Sequence, residues 1–160
     1  AWLDIHWISG LLLTFLVVAH IIRASFWQDF KSMLLMPKDF AEPFDSSRKP
    51  GKYYFEQKGM HWAVTVVALA VIVTGVLMFM QIDSPFWDRT NSMAEDQLGL
   101  VFLLHGLSTL ALVALAATHI YFALRPEKIF YTRSMISGWM SEDEMAANHD
   151  TSKWSPKEAE

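Results

Sequence analysis

The chain contains no cysteine. That excludes a disulfide framework, a thiolate metal site, an iron–sulfur cluster held by this polypeptide and a covalently attached haem. Charge is missing from three long stretches. None of the 13 Lys and Arg or 17 Asp and Glu falls between Asp4 and Arg23, between Lys58 and Asp83, or between Asp96 and Arg125. No internal repeat and no nucleic-acid signature is present either, so nucleic acid is not an expected partner. The net charge of −4 says less than where the charges lie.

What fills the three gaps is apolar, in a chain that is 52% hydrophobic with seven Trp and eleven Phe. Each gap is close to or above the ~18 residues that suggest a membrane span. One such run is compatible with a buried helix of a soluble protein. Three in 160 residues predict an all-α, integral membrane helical bundle. Its spans are expected at about residues 2–27, 59–82 and 98–124, within a membrane domain over residues 1–133 followed by a polar tail over 134–160. The first span begins almost at Ala1, with no methionine before it, and an upstream segment is expected to be absent from this sequence.

The first loop carries Lys31, Lys38, Arg48, Lys49, Lys52 and Lys58. Pro37, Pro43, Pro50 and Gly51 break any continuous helix there, and the KSMLLM stretch is expected to start as a short interfacial helix. The second loop has Arg89 alone against Asp83, Asp88, Glu95 and Asp96, while Arg125, Lys128 and Arg133 follow the third span. The positive-inside rule therefore places the first loop and the C-terminus in the cytoplasm of a multi-pass inner-membrane protein. The first and third spans then run in the same direction, from outside to inside. In the tail, Ser141 precedes Glu144 by three residues, the spacing of a capping box. His149 is expected to be an ordinary surface residue.

Histidine is costly inside a bilayer and usually functional there. The first span holds His6 and His20, the third His105 and His119. Each pair is fourteen residues apart, four helical turns less some 40°, so both rings leave one face about 21 Å apart along the axis. Asp4 and Arg23 centre the first span between residues 13 and 14, and its histidines centre on 13. Asp96 and Arg125 centre the third between residues 110 and 111, and its histidines centre on 112. Each pair thus sits within about 3 Å of its span's middle. In parallel spans His6 comes level with His105 and His20 with His119, which is what two stacked bis-histidine haems b require. Such haems carry electrons and leave no site for oxygen.

A proton pathway or helix packing also uses intramembrane histidine, though no span holds the carboxylate a proton pathway usually needs. Gly10, one turn after His6, lets a flat group approach the backbone or another helix pack closely. Arg23, just beyond His20, is placed to pair with a haem propionate. His61 lies near the level of His20 and competes with it as ligand, or contacts a propionate or a quinone.

Across nearly its whole length the sequence resembles the membrane cytochrome b (gamma) subunit of respiratory formate dehydrogenases. The resemblance is carried by Ile5-His6-Trp7 with Arg23, by GKYYFEQKGMHW from Gly51 to Trp62, by LLHGLSTLALVALAATHIYFAL from Leu103 to Leu124, and by GWMSEDEMAANH from Gly138 to His149. Related cytochromes serve hydrogenases and thiosulfate reductases. The resemblance implies a four-helix subunit with two haems b, partnered by an iron–sulfur electron-transfer subunit and a catalytic dehydrogenase subunit. It implies electron flow from the outer side to a quinone (menaquinone or ubiquinone) near the inner haem. His6 and His105 match the outer ligands and His119 one inner ligand, while the family's other inner ligand lies on a helix upstream of this sequence, with His20 the candidate here. The family's quinone pocket includes the turn matched by Gly51, Lys52, Tyr53, Gln57 and Lys58. Tyr54 and Glu56 depart from the pattern. Lys52, Tyr54, Gln57 and His61 are the quinone-site candidates. The competing reading is a non-haem scaffold or proton-conducting subunit of a respiratory complex.

Overall fold

A computed structural model of the chain describes residues 2–27, 30–45 and 49–154. Gln28, Arg48 and the tail beyond residue 154 lie outside them. Among the described residues the regular structure is all helical. Three long helices, α1 (Trp2–Trp27), α2 (Phe55–Phe79) and α3 (Glu95–Leu124), are followed by the short α4 (Ile129–Ser137) and α5 (Glu142–Asn148). Tight 3-10 turns occupy Phe30–Met33, Pro37–Phe44 and Pro126–Lys128. The stretch expected to start an interfacial helix thus forms a 3-10 turn.

Two helix starts lie earlier than the charge-free runs. α2 begins at Phe55 because its orphan N–H groups find acceptors there: Glu42 Oε2 takes the Phe55 N–H at 3.0 Å, and Gln57 Oε1 takes that of Tyr54 at 2.9 Å. α3 begins at Glu95, with Gln97 Oε1 accepting from Ala94 N–H at 3.1 Å. Glu95 and Asp96 then stand in the first turn, where the helix dipole favours negative charge. Charge bounds an apolar run without ending a helix. α2 stops at Phe79 rather than 82, because the Met80 carbonyl receives the backbone and side chain of Thr90 at 3.0 and 3.1 Å.

All three long helices are apolar and long enough to cross a membrane, and none of the most apolar stretch of α1 or of α3 is buried. The buried apolar side chains among the described residues are Pro50, Ala68, Phe79, Val101 and Met145. Water does not tolerate so much exposed apolar surface on a folded chain. Lipid does, and this is a membrane protein.

The chain divides into two compact units. The first comprises Ala1–Gln28 and Ala63–Leu115. Within it Trp7 stacks on Phe79 at 5.2 Å, and Phe86 and Trp87 close around them at 6.3 Å from Trp7 and 4.6 Å from Phe79. Indole and phenyl rings gathered at helix ends are the usual anchors of a membrane–water boundary.

The second unit comprises Asp29–Trp62 and Ala116–Glu160. Its tail is bound to the turn that precedes α2. Tyr54 hydroxyl donates to Asn148 O at 2.8 Å, Asp150 N–H to Pro50 O at 2.8 Å, and Lys153 Nζ to Lys49 O at 2.9 Å. The Ser141–Glu144 capping box forms as its spacing predicts. His149 is no surface residue: it is 2% exposed. Its Nδ1–H donates to Gly51 O at 2.7 Å, so in the neutral ring Nε2 accepts from Tyr131 hydroxyl at 3.1 Å. Trp154 covers it edge-on at 5.2 Å. Burial pushes both Tyr54 and Tyr131 above the usual phenol range, so these hydroxyls remain protonated donors.

The same unit holds a buried ion pair, Lys58 Nζ to Asp39 Oδ2 at 2.8 Å. Burial alone would raise the Asp39 pKa, but the Lys58 hydrogen bond, the Met36 amide and the charges of Lys58 and Lys38 outweigh it and hold the carboxyl below its ordinary 3.8. A depressed carboxyl stabilises the fold above its unfolded pKa and loses that contribution as pH falls through the folded value. Lys58→Met should therefore cost about 3 kcal/mol near neutral pH, because it strands a buried carboxylate. Thermal unfolding in detergent should show this penalty shrinking as pH falls, starting above the ordinary carboxylate range, because without Lys58 burial raises the Asp39 pKa and the carboxyl takes up its proton sooner.

Candidate functional site

His6 on α1 and His105 on α3 come together in the first unit, with ring centroids 6.1 Å apart and ring planes at 83°. With metal–imidazole bonds of about 2 Å, two imidazoles on opposite sides of one iron hold their centroids roughly 6 Å apart. The spacing suits a shared metal.

The tautomer of His105 suits it too. Thr74, buried on α2 at 8% exposure, donates its hydroxyl proton to Ala70 O at 2.6 Å, and its oxygen lies 2.9 Å from His105 Nδ1. A carbonyl can only accept, so the threonine proton is committed to Ala70 and His105 Nδ1–H must be the donor to Thr74. The neutral ring then carries its lone pair on Nε2, ready for a metal. Gly75 makes room for the ring: a Cβ there would come within 3.2 Å of His105 Cε1. Neither Thr74 nor Gly75 stood out in the sequence. Depth would have found Thr74. Lys58 and Asp83 centre their run between residues 70 and 71, which puts Thr74 3.5 residues toward the Asp83 end. His105 lies 5.5 residues from the middle of its own run toward the Asp96 end. The antiparallel sense of the two helices makes these the same side, about 3 Å apart in depth.

The other predicted residues stand as follows. Gly10 has nothing within 4 Å of a Cβ added to it, so among the described residues no helix packs on it and the face beside it is open to a planar group. His20 and Arg23 are exposed on α1. His119 is exposed on α3 and belongs to the second unit, as does half-buried His61, whose ring stands edge-on to Trp62 at 5.8 Å. Of the four quinone-site candidates, Tyr54 and Gln57 are already hydrogen-bonded, to Asn148 O and to the Tyr54 amide. Lys52 lies with its ammonium 5.3 Å from the Tyr53 ring centroid and lines a cavity of about 420 Å³ with Lys31, Lys38, Asp39, Tyr53 and Lys58. Among the described residues, no three His, Cys, Asp or Glu side chains converge to hold a metal by themselves. A pair of axial imidazoles needs only a porphyrin to supply the remaining ligands.

A family model described as prokaryotic cytochrome b561 matches residues 1–138. The chain belongs to the prokaryotic cytochrome b561 family. It is thus a membrane cytochrome b, a haem b electron-transfer protein built as a helical bundle. No curated protein and no solved structure matches the chain. In this cytochrome b561 the His6 and His105 rings stand 6.1 Å apart, with His105 Nδ1 bonded to Thr74.

Proposed function

We propose that this cytochrome holds two haems b and carries electrons across the inner membrane from an extracytoplasmic iron–sulfur and dehydrogenase partner, of the formate dehydrogenase kind, to menaquinone or ubiquinone. The observation that carries the reading is the His6–His105 pair at 6.1 Å, one of two histidine pairs with equal spacing and matched depth in the sequence. His6 and His105 hold the outer haem. His20 and His119 are assigned to the inner one, and Arg23 to a propionate. Haem b, held by these imidazoles, would supply a one-electron iron couple. The protein fixes the His105 tautomer and leaves the Gly10 face open to a planar group.

Lys52 at the cavity and His61 at the start of α2 are the donors with which a quinone oxygen would be bound. Contact with the Tyr54 hydroxyl would replace its bond to Asn148 O, whereas Gln57, whose Oε1 holds the Tyr54 amide, could still donate from Nε2. The basic first loop and the cations after α3 support a cytoplasmic C-terminus. Three helices cannot enclose two porphyrins, so at least one further helix, upstream or from a partner subunit, is expected against α1 and α3.

The test is haem quantitation with a reduced-minus-oxidised spectrum of the purified protein in its complex. The expected result is two haems per chain, both low-spin and b-type, with a sharp α band. A protein that is folded and partnered yet free of haem would favour the scaffold or proton-conducting reading.

A further inference from the structure

We infer that Thr74 is a positioning residue for the cytochrome's electron transfer: its hydroxyl oxygen, oriented by its own bond to Ala70 O, fixes the tautomer and electron richness of His105. This rests on the haem reading above, with His105 as an axial ligand.

The geometry leaves little choice. Thr74 bends back on its own helix, with its oxygen 2.6 Å from Ala70 O and 3.1 Å from Val71 O. One proton serves that pair, so the oxygen presents a lone pair to His105 Nδ1 at 2.9 Å. The arrangement differs from a helix–helix hydrogen bond of convenience in two ways. The threonine is buried, where no water competes for the ring N–H. Its neighbour in sequence is Gly75, which lets the imidazole lie against α2 with 3.2 Å between His105 Cε1 and an added Cβ. A larger residue at position 75 would push the ring off the hydroxyl. The ring is therefore held by Thr74 on one nitrogen and is free to ligate through the other.

Outer partners of this kind set ring orientation and raise the basicity of a ligating histidine. An imidazole whose N–H is bonded donates more charge to a metal, which favours the oxidised iron and lowers its potential. The same bond makes the wrong tautomer unfavourable, since a proton on Nε2 would leave Nδ1 facing an oxygen whose own proton points away. Thr74 thus acts on the His6–His105 site without touching the cofactor.

Two variants of the full chain in its complex test this. Thr74→Val keeps the shape and removes the oxygen; Thr74→Ser keeps the oxygen and removes the methyl. Redox titration followed optically, together with haem content, is the readout. In Thr74→Val the midpoint potential of one haem should shift upward and its retention through purification should fall, with the second haem unchanged. Thr74→Ser should match wild type in both. A Val variant with wild-type potential and retention would overturn the role of Thr74, as would a Ser variant that shifts as far as Val, or equal damage to both haems. Wild-type protein without haem would overturn the reading beneath it, a result visible before any variant is made.

Discussion

Replacing His105 by alanine should halve the haem content of the protein. His6 would keep its imidazole but lose its counterpart at 6.1 Å, and Thr74 would lose the ring N–H that it accepts from. One axial ligand binds a haem far less well than two held at the right separation, so the site should empty or retain a high-spin, five-coordinate remnant. The partner subunit's electrons would then have no acceptor at that side, and donor-to-quinone turnover should fall to background. The second haem should survive, because His20 and His119 sit about 21 Å further along their helices. His105→Ala protein that still binds two low-spin haems per chain would remove His105 from the ligand set. A control is at hand in His149→Ala, whose ring is bonded to Gly51 and Tyr131 rather than placed for a cofactor. That variant should loosen the tail and leave haem content alone.

The two histidine positions differ in how readable they were. The approach of His6 to His105 was legible because a membrane span is a ruler: charge marks its ends and helical rise converts residue number to depth. The three apolar helices were legible for the same reason; α2 and α3 start at residues 55 and 95, ahead of the spans expected from 59 and 98, because a span read from its last charge leaves out a charged first turn. Glu56, Lys58, Glu95 and Asp96 all lie in the first turn or so of α2 and α3, where caps and dipole accept charge. Ser141 and Glu144 were readable because a capping box is local.

His149 was not readable. Its partners, Gly51 O and Tyr131 hydroxyl, are 98 and 18 residues away, and no local pattern marks a polar tail that folds back. Composition made the tail look solvated, yet Tyr54, Tyr131 and Trp154 bury its histidine. Tyr54 shows the same gap from the other side. As a residue of a polar interfacial turn it was a fair quinone candidate, but its hydroxyl is engaged by Asn148 O at 2.8 Å. Lys52, Gln57 and His61 carry N–H groups that a quinone oxygen could take. Thr74 falls between these cases. Its bond to His105 spans 31 residues, but the depth ruler reaches it, because both residues lie inside charge-free runs.

His20→Ala should cost the protein its other haem, and quinone reduction with it. α1 and α3 are each one unbroken helix, from Trp2 to Trp27 and from Glu95 to Leu124, so phase carries through both. Fourteen residues after His6 and after His105, each helix brings a second histidine round to the same face. The charge pattern of the sequence is the argument for expecting His20 and His119 at one depth. Arg23, one turn beyond His20 and exposed, is long enough to reach a propionate while its guanidinium stays at the headgroup level. The rivals are His61 on the antiparallel α2 and a histidine upstream of Ala1. They separate cleanly by measurement. If His20 is the ligand, His20→Ala loses one low-spin bis-histidine spectrum and all donor-to-quinone turnover, while the donor still reduces the haem held by His6 and His105. His61→Ala should keep two haems and change only the affinity for quinone. Two haems retained in His20→Ala, or a haem lost in His61→Ala, would move the ligand to another helix and leave the His6–His105 pair standing.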